Sequence, residues 1–202
     1  GGRTPDVPGL SRIVDGKTIH RELPAPVADL DKLPFADLSL IKGPKKHGGN
    51  AAITPLIASR GCPFNCKFCS VTAMFGKRYR YRSVENVIEE LKVKRPKWTF
   101  FYDDNFAADR ERTKALLQEM IRQKINTKWV AQVRIDIAKD VELLQLMKRT
   151  NCHYLYIGIE SMNAATLKEF KKGQTPDQIR DSIAAIRNSG LKVHGMFVFG
   201  SD

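Results

Sequence analysis

Three thiols, Cys62, Cys66 and Cys69, stand within eight residues of one another in the stretch RGCPFNCKFCS. The pattern is C-x3-C-x2-C. Packing gives no reason to crowd three cysteines beside Gly61, Pro63 and Asn65. Ligation of a soft centre does, because thiolates select zinc or iron–sulfur clusters. A closed structural zinc site takes four ligands, usually paired as C-x2-C. Here the paired spacing occurs once, and no fourth Cys or His follows nearby. Three thiolates on a four-iron cluster would leave one iron open to an exogenous ligand. The competing readings are packed or disulfide-paired cysteines, and a zinc knuckle completed by a distant His.

Other candidate groups sit where apolar runs end. Trp98-Thr99-Phe100-Phe101-Tyr102 stops at Asp103-Asp104-Asn105. Two carboxylates and an amide there can accept hydrogen bonds from a cationic ligand group, or cap a helix and solvate a loop. Arg134, in VAQVRID, can clamp a carboxylate bidentately or pair with Asp136. Glu160 ends HYLYIGIES, and a carboxylate in an apolar strand is costly unless paired. Gly195 and Gly200 flank the last apolar run, where glycines often mark bends. Cys152 stands alone and reads as a core thiol. His20, His47 and His153 have no ligand partner in the sequence, and His194 reads as packed.

The elements that must position these groups alternate between strand and helix. Strands are expected at 53–59, 98–102, 128–135, 153–161 and 191–200. Between them, Ser83 caps a helix with Val84, Val87, Ile88 and Leu91 on one face, stopped at Pro96. Asp109 caps a second, with Leu116, Leu117, Met120 and Ile121 inward. A third follows Asp140 and carries Lys148 and Arg149 in its last turn. A fourth opens on the capping box Thr175-Pro176-Asp177-Gln178 and closes at Gly190. Strands joined by helical crossovers imply a parallel sheet with right-handed connections and outer helices. The expected class is α/β, a partial TIM-like barrel of about five βα units, with chemistry at the C-terminal strand ends.

Before this core, residues 1–52 are proline-rich and weakly periodic. A hairpin is expected over Arg12–Ile19, turning at Asp15-Gly16. Leu30–Phe35 reads as a segment wrapped onto a neighbouring surface, and Lys42–Asn50 as a link. The division expected is therefore an N-terminal extension, 1–52, and a core, 53–202. The last strand, rich in Met196, Phe197, Val198 and Phe199, would lie at a sheet edge, so the chain is expected to be a piece of a longer protein.

The 202 residues suffice for one sizeable core, and 42% hydrophobic with 28% charged residues is a globular balance. No apolar run approaches the ~20 residues needed to span a bilayer, and no signal pattern opens the chain. Clustered cysteines fit a reducing, cytoplasmic setting better than a secreted disulfide framework. The formal charge of +12 is spread over many helices. It reads as solvated faces rather than a nucleic-acid footprint.

The cysteine spacing resembles the signature of the radical S-adenosylmethionine (SAM) enzymes over residues 53–202. The resemblance implies a partial barrel holding a [4Fe–4S] cluster on Cys62, Cys66 and Cys69. SAM would be chelated at the open iron and cleaved reductively to a 5′-deoxyadenosyl radical. It also implies SAM contacts at Phe68, Asp103, Asp104, Asn105, Arg134, Glu160 and Gly195. The usual motif after the second strand is Gly-Gly-Glu-like, and Asp-Asp-Asn departs from it. The runs RGCPFNCKFCS, KRYRYRSVE and FYDDNF look like the cobalamin-binding-domain group of that family, which includes methyltransferases and an anaerobic oxidative cyclase. Asp15-Gly16-Lys17 and Asp29–Phe35 resemble that group's linker. No D-x-H-x-x-G motif occurs, so cobalamin is an expectation for the longer parent protein only. The partners implied are a small-molecule or metabolite substrate and an electron donor such as flavodoxin or ferredoxin. The alternatives are a tRNA-modifying methylthiotransferase, and a non-catalytic zinc- or cluster-stabilised nucleic-acid module.

Overall fold

The computed structural model describes residues 7–40, 53–75 and 78–200. The expected Lys42–Asn50 link lies outside them. The described chain opens on a hairpin of β1 (Ser11–Val14) and β2 (Lys17–His20). Asp15 and Gly16 both take left-handed φ, 49° and 72°. Two such residues make the turn whose twist matches that of the flanking strands. The chain then packs onto the body as expected. Leu30 is buried, Asp31 accepts the Ser83 N–H at 2.9 Å, and Phe35 lies 5.3 Å from the Arg82 guanidinium.

The core runs β3 (Thr54–Leu56), β4 (Ser59–Arg60), α1 (Val71–Phe75), β5 (Arg80–Tyr81), α2 (Val84–Lys94), β6 (Trp98–Phe101), α3 (Arg110–Arg122), β7 (Lys128–Val133), α4 (Val141–Arg149), β8 (Cys152–Glu160), α5 (Ala164–Glu169), α6 (Pro176–Asn188) and β9 (Lys192–Phe197). The main sheet has the order β3-β6-β7-β8-β9, and every pair is parallel. The helix starts are written in the sequence. Ser83, Asp109, Asp140 and Thr175 each accept an N–H of the first turn, and Thr175 with Gln178 closes the full capping box.

Strand alternation divides the sheet's two faces. Phe101, Trp129, Ala131, Leu155 and Ile157 share a core with Leu91, Leu116, Met120, Met147 and Ile186 of the helices. Each such side chain, fully buried, stabilises by about 1.5–3 kcal/mol. On the other face Phe100, Tyr156 and His194 form a row of rings, with centroids 5.5 and 4.8 Å apart. Among the described residues no helix is long and apolar enough to cross a membrane.

Several expected boundaries move. β3 ends at Leu56 rather than 59, because the Ala58 N–H goes to the Asp103 side chain at 3.3 Å. Ser59–Arg60 then pairs antiparallel with Arg80–Tyr81. β7 ends at Val133, since Ile135 begins a 3-10 turn. β8 starts one residue early and ends at Glu160, and β9 ends at Phe197. The end of α2 does not move: it falls at Lys94 as expected, where Arg95 takes φ 44° and its N–H closes on Leu91 O, ahead of Pro96. α1 and α5 are too short for periodicity to reveal.

Candidate cluster and cofactor site

The three cysteines lie on the loop between β4 and α1, beyond the C-terminal end of β3. All are free and partly exposed. Gly61 opens the loop at φ 87°, a conformation that favours glycine. The Cys69 N–H donates to Cys66 O at 3.1 Å, and the Lys67 N–H donates to Phe170 O at 3.1 Å. The Phe68 ring lies 5.0 Å from the Phe170 ring and is 43% exposed. The segment after α5 therefore backs the cysteine loop.

Arg134 reaches this loop from the end of β7. Its Nη1 lies 3.7 Å from Cys66 Sγ, and its guanidinium sits 3.9 Å from the Phe64 ring centroid. Its Nη2 donates to Lys172 O at 3.0 Å. The Asp136 pairing anticipated as the alternative is also present, at 3.6 Å. Burial pushes the Cys62 thiol above its ordinary range, while an N–H from Phe64 and the Arg134 charge oppose the shift.

Glu160 is buried at 8% exposure and holds φ 64° at a register shift between β8 and β9. Such a bulge re-aims a side chain. Its Oε1 lies 2.8 Å from Lys172 Nζ. That ammonium, itself 7% exposed, sits 5.6 Å from the Phe68 ring. Gly158 makes room for the pair: a Cβ there would stand 2.1 Å from Glu160 Oε1. Phe68, Arg134 and Glu160, far apart in sequence, thus meet around Lys172. Sequence reasoning missed Lys172, because one Lys among many carries no pattern.

The Asp103–Asn105 run divides three ways. Asp103 is 1% exposed. Its carboxylate accepts from Ala58 N–H and the Ser59 hydroxyl. Burial pushes it up to about 6, against those two hydrogen bonds and the Arg112 charge. Asp104 Oδ2 accepts the Gly61 N–H at 2.9 Å. Asn105 is buried, and its amide oxygen has no hydrogen-bond partner among the described residues. Gly195 is exposed, and a Cβ there would meet Ile159 Cδ1 at 2.7 Å. Cys152 pairs in register with Trp129 at the opposite end of the sheet, which rules it out as a fourth thiol of this loop.

Among the described residues no three Cys, His, Asp or Glu side chains converge as one ion's ligands do. Three sulfurs on separate irons of a cluster need not converge. The donor set fits a cluster: three unpaired thiols on one loop, with a cation donating to one sulfur and no fourth ligand supplied among the described residues. A guanidinium against sulfur suits a thiolate, since ionised acceptors make the stronger bond.

The Radical SAM superfamily model matches residues 56–201. The chain belongs to this family. A [4Fe–4S] cluster and SAM are the cofactors membership implies, and the fold is the family's α/β partial barrel. An uncharacterized methyltransferase of Pyrococcus horikoshii is 33% identical over 95% of this chain and 42% of its own length. The bacteriochlorophyllide d C-12(1)-methyltransferase of Chlorobaculum tepidum is 28% identical over 74% of this chain and 34% of its own length. This radical SAM chain thus spans less than half of each. The cobalamin-dependent SAM radical enzyme OxsB, with aqua-cobalamin and SAM bound, superposes with a TM-score of 0.73 at 19% identity, covering 95% of this chain and 29% of that one. That likeness is one of fold.

Proposed function

We propose that this chain is the catalytic core of a radical SAM methyltransferase- or cyclase-type enzyme acting on a small organic substrate. The observation that carries the reading is the loop of Cys62, Cys66 and Cys69 at the mouth of a parallel sheet, with Arg134 against Cys66 Sγ. When bound and reduced, the cluster supplies the electron that cleaves SAM to methionine and a 5′-deoxyadenosyl radical. The chain's own residues hold and orient. Arg134 fixes the loop to Lys172 and offers positive charge to the thiolate and to a carboxylate. Glu160 and Lys172 keep a paired charge beside Phe68, whose backbone the reading assigns to the adenine. The unpartnered Asn105 amide oxygen is the acceptor assigned to the SAM ammonium. Burying these groups around the reacting molecule sets its orientation and excludes water.

The remaining assignments belong to the longer protein. Residues 1–52 form the extension leading into the core at 53–202, the place of a linker from a preceding cobalamin domain. OxsB, a structural neighbour of this chain, is named as cobalamin-dependent. A flavodoxin or ferredoxin delivers the electron in the cytoplasm.

The test is anaerobic reconstitution with iron and sulfide, then EPR of the dithionite-reduced chain with and without SAM, with assay of 5′-deoxyadenosine. The expected result is a [4Fe–4S]+ signal that changes on adding SAM. A colourless chain that binds zinc and ignores SAM would overturn the reading in favour of a structural module.

A further inference from the structure

The carboxylates that follow β6 engage the chain itself. Pairing between β3 and β6 ends where the Tyr102 N–H donates to Leu56 O at 2.8 Å. Continued, the ladder would carry residues 57–60 along the sheet. Side chains take its place. Asp103 Oδ2 accepts the Ala58 N–H at 3.3 Å, Asp103 Oδ1 accepts the Ser59 hydroxyl, and Asp104 Oδ2 accepts the Gly61 N–H at 2.9 Å. Ala58 O in turn accepts from Arg82 N–H at 2.9 Å and from Arg112 Nη2 at 3.1 Å. Residues 58, 59 and 61 are thereby each held by a carboxylate, Ala58 from both sides, and Cys62 is the next residue along the chain.

We propose that Asp103 and Asp104 are positioning residues that fix where the cysteine loop leaves the sheet, and so where Cys62 presents its sulfur. The proposal rests on the reading of Cys62, Cys66 and Cys69 as cluster ligands. It removes Asp103 from the SAM contacts that the family resemblance implies. At 1% exposure, with an oxygen turned to each of two neighbouring donors, Asp103 offers no surface to a ligand's ammonium. The physical reason for carboxylates here is that N–H groups leaving a ladder need acceptors, and an ionised acceptor makes the stronger bond. Asp104 acts one residue from Cys62, through an amide already committed by the left-handed turn at Gly61.

The experiment uses Asp103→Ala, Asp104→Ala and Ser59→Ala in the full chain, with Asp103→Asn as the isosteric control. In the metal-free chain, hydrogen exchange at Ala58 and Gly61 should quicken about tenfold or more in the alanine variants that remove the acceptor, while β7 amides keep their protection. Asp103→Asn, which keeps an acceptor for Ala58, should restore slow exchange there. In the reconstituted chain the alanine variants should take up less iron and shift the EPR g-values of the SAM-free cluster. The cluster-bearing fraction of Asp103→Ala should keep its SAM affinity. Unchanged exchange overturns the proposal. So does a wild-type SAM-free spectrum combined with SAM affinity weakened about tenfold, the loss of one good polar contact. If Asp103→Ala fails to fold, Asp104→Ala decides alone, through exchange at Gly61 and iron uptake. A wild-type chain that takes up no cluster would sink the proposed function, while the exchange measurements would still decide how Asp103 and Asp104 hold the loop.

Discussion

The N-terminal ends of the strands are closed by neutral groups, most of them buried, with the exposed Lys128 ammonium lying 5.5 Å over the Trp98 ring. The Trp129 indole N–H donates to Thr150 O at 2.7 Å, Thr99 and Thr127 share a hydroxyl bond of 2.9 Å, and Trp98 meets His153 edge-on at 4.7 Å. Cys152 is buried there. At the C-terminal ends of the same strands stand Asp103, Asp104, Arg134, Glu160 and Lys172, ionisable and mostly buried. A buried charge is a poor way to gain stability and loses much when its partner is removed. The contrast fits the proposed function, in which one end of the sheet holds the fold and the other a ligand.

The sharpest way to break this contrast is through the four cysteines. Changing Cys62, Cys66 or Cys69 to Ala should abolish cluster uptake and 5′-deoxyadenosine formation. Cys152→Ala should keep both and lower stability by about 1 kcal/mol. Loss of the cluster in Cys152→Ala would end the division between the two ends.

Lys172→Met and Trp129→Ala compare the ends by stability. Each should lower the unfolding free energy by about 3–5 kcal/mol in urea titration, the first by stranding the Glu160 carboxylate and the second by opening a cavity. They should part on repair. Adding Glu160→Gln to Lys172→Met removes the stranded charge and recovers much of the loss. In the Trp129→Ala background, where Lys172 is still present, the same Glu160 change strands that ammonium and lowers stability further. Equal behaviour in the two backgrounds would mean that Glu160 and Lys172 are not coupled.

The smallest effect is a pH slope at Asp103. Its carboxyl is raised from 3.8 to about 6, chiefly by burial. The folded chain therefore binds this proton more tightly than the unfolded chain. Stability from this group is present below the unfolded value and is lost as pH rises from about 4 through about 6, on the order of 3 kcal/mol. Asp103→Asn cannot titrate, so the stability difference between wild type and variant should change across that window. A difference constant from pH 4 to 7 would show that Asp103 is ionised at little cost.

Much of the fold was legible because its signals are local. Asp15-Gly16, Ser83, Asp109, Asp140 and the Thr175 capping box act through their own backbone neighbours, and each turn or cap forms where the residues place it. The cysteine spacing is likewise carried by one short loop. Boundaries failed where a distant group intervened. Pro55–Ala58 reads as continuous strand, yet Asp103 takes Ala58 out of the ladder from 45 positions away.

By itself, then, the sequence determined a parallel α/β core, the starts of its four longer helices, its cysteine loop and, through the loop's spacing, the family. The tertiary structure decided what the charged residues do. Adjacent side chains at a strand end point in different directions, so Asp103 turns into the protein, Asp104 holds Gly61, and Asn105 keeps an unpartnered oxygen. Lys172 became visible only when the chain after α5 folded back beneath Phe68, since a salt bridge to Glu160 depends on the bulge in β8 and the space at Gly158. Local caps are fixed by short-range backbone chemistry, whereas the partner of a charge is fixed by which strand ends the sheet brings together.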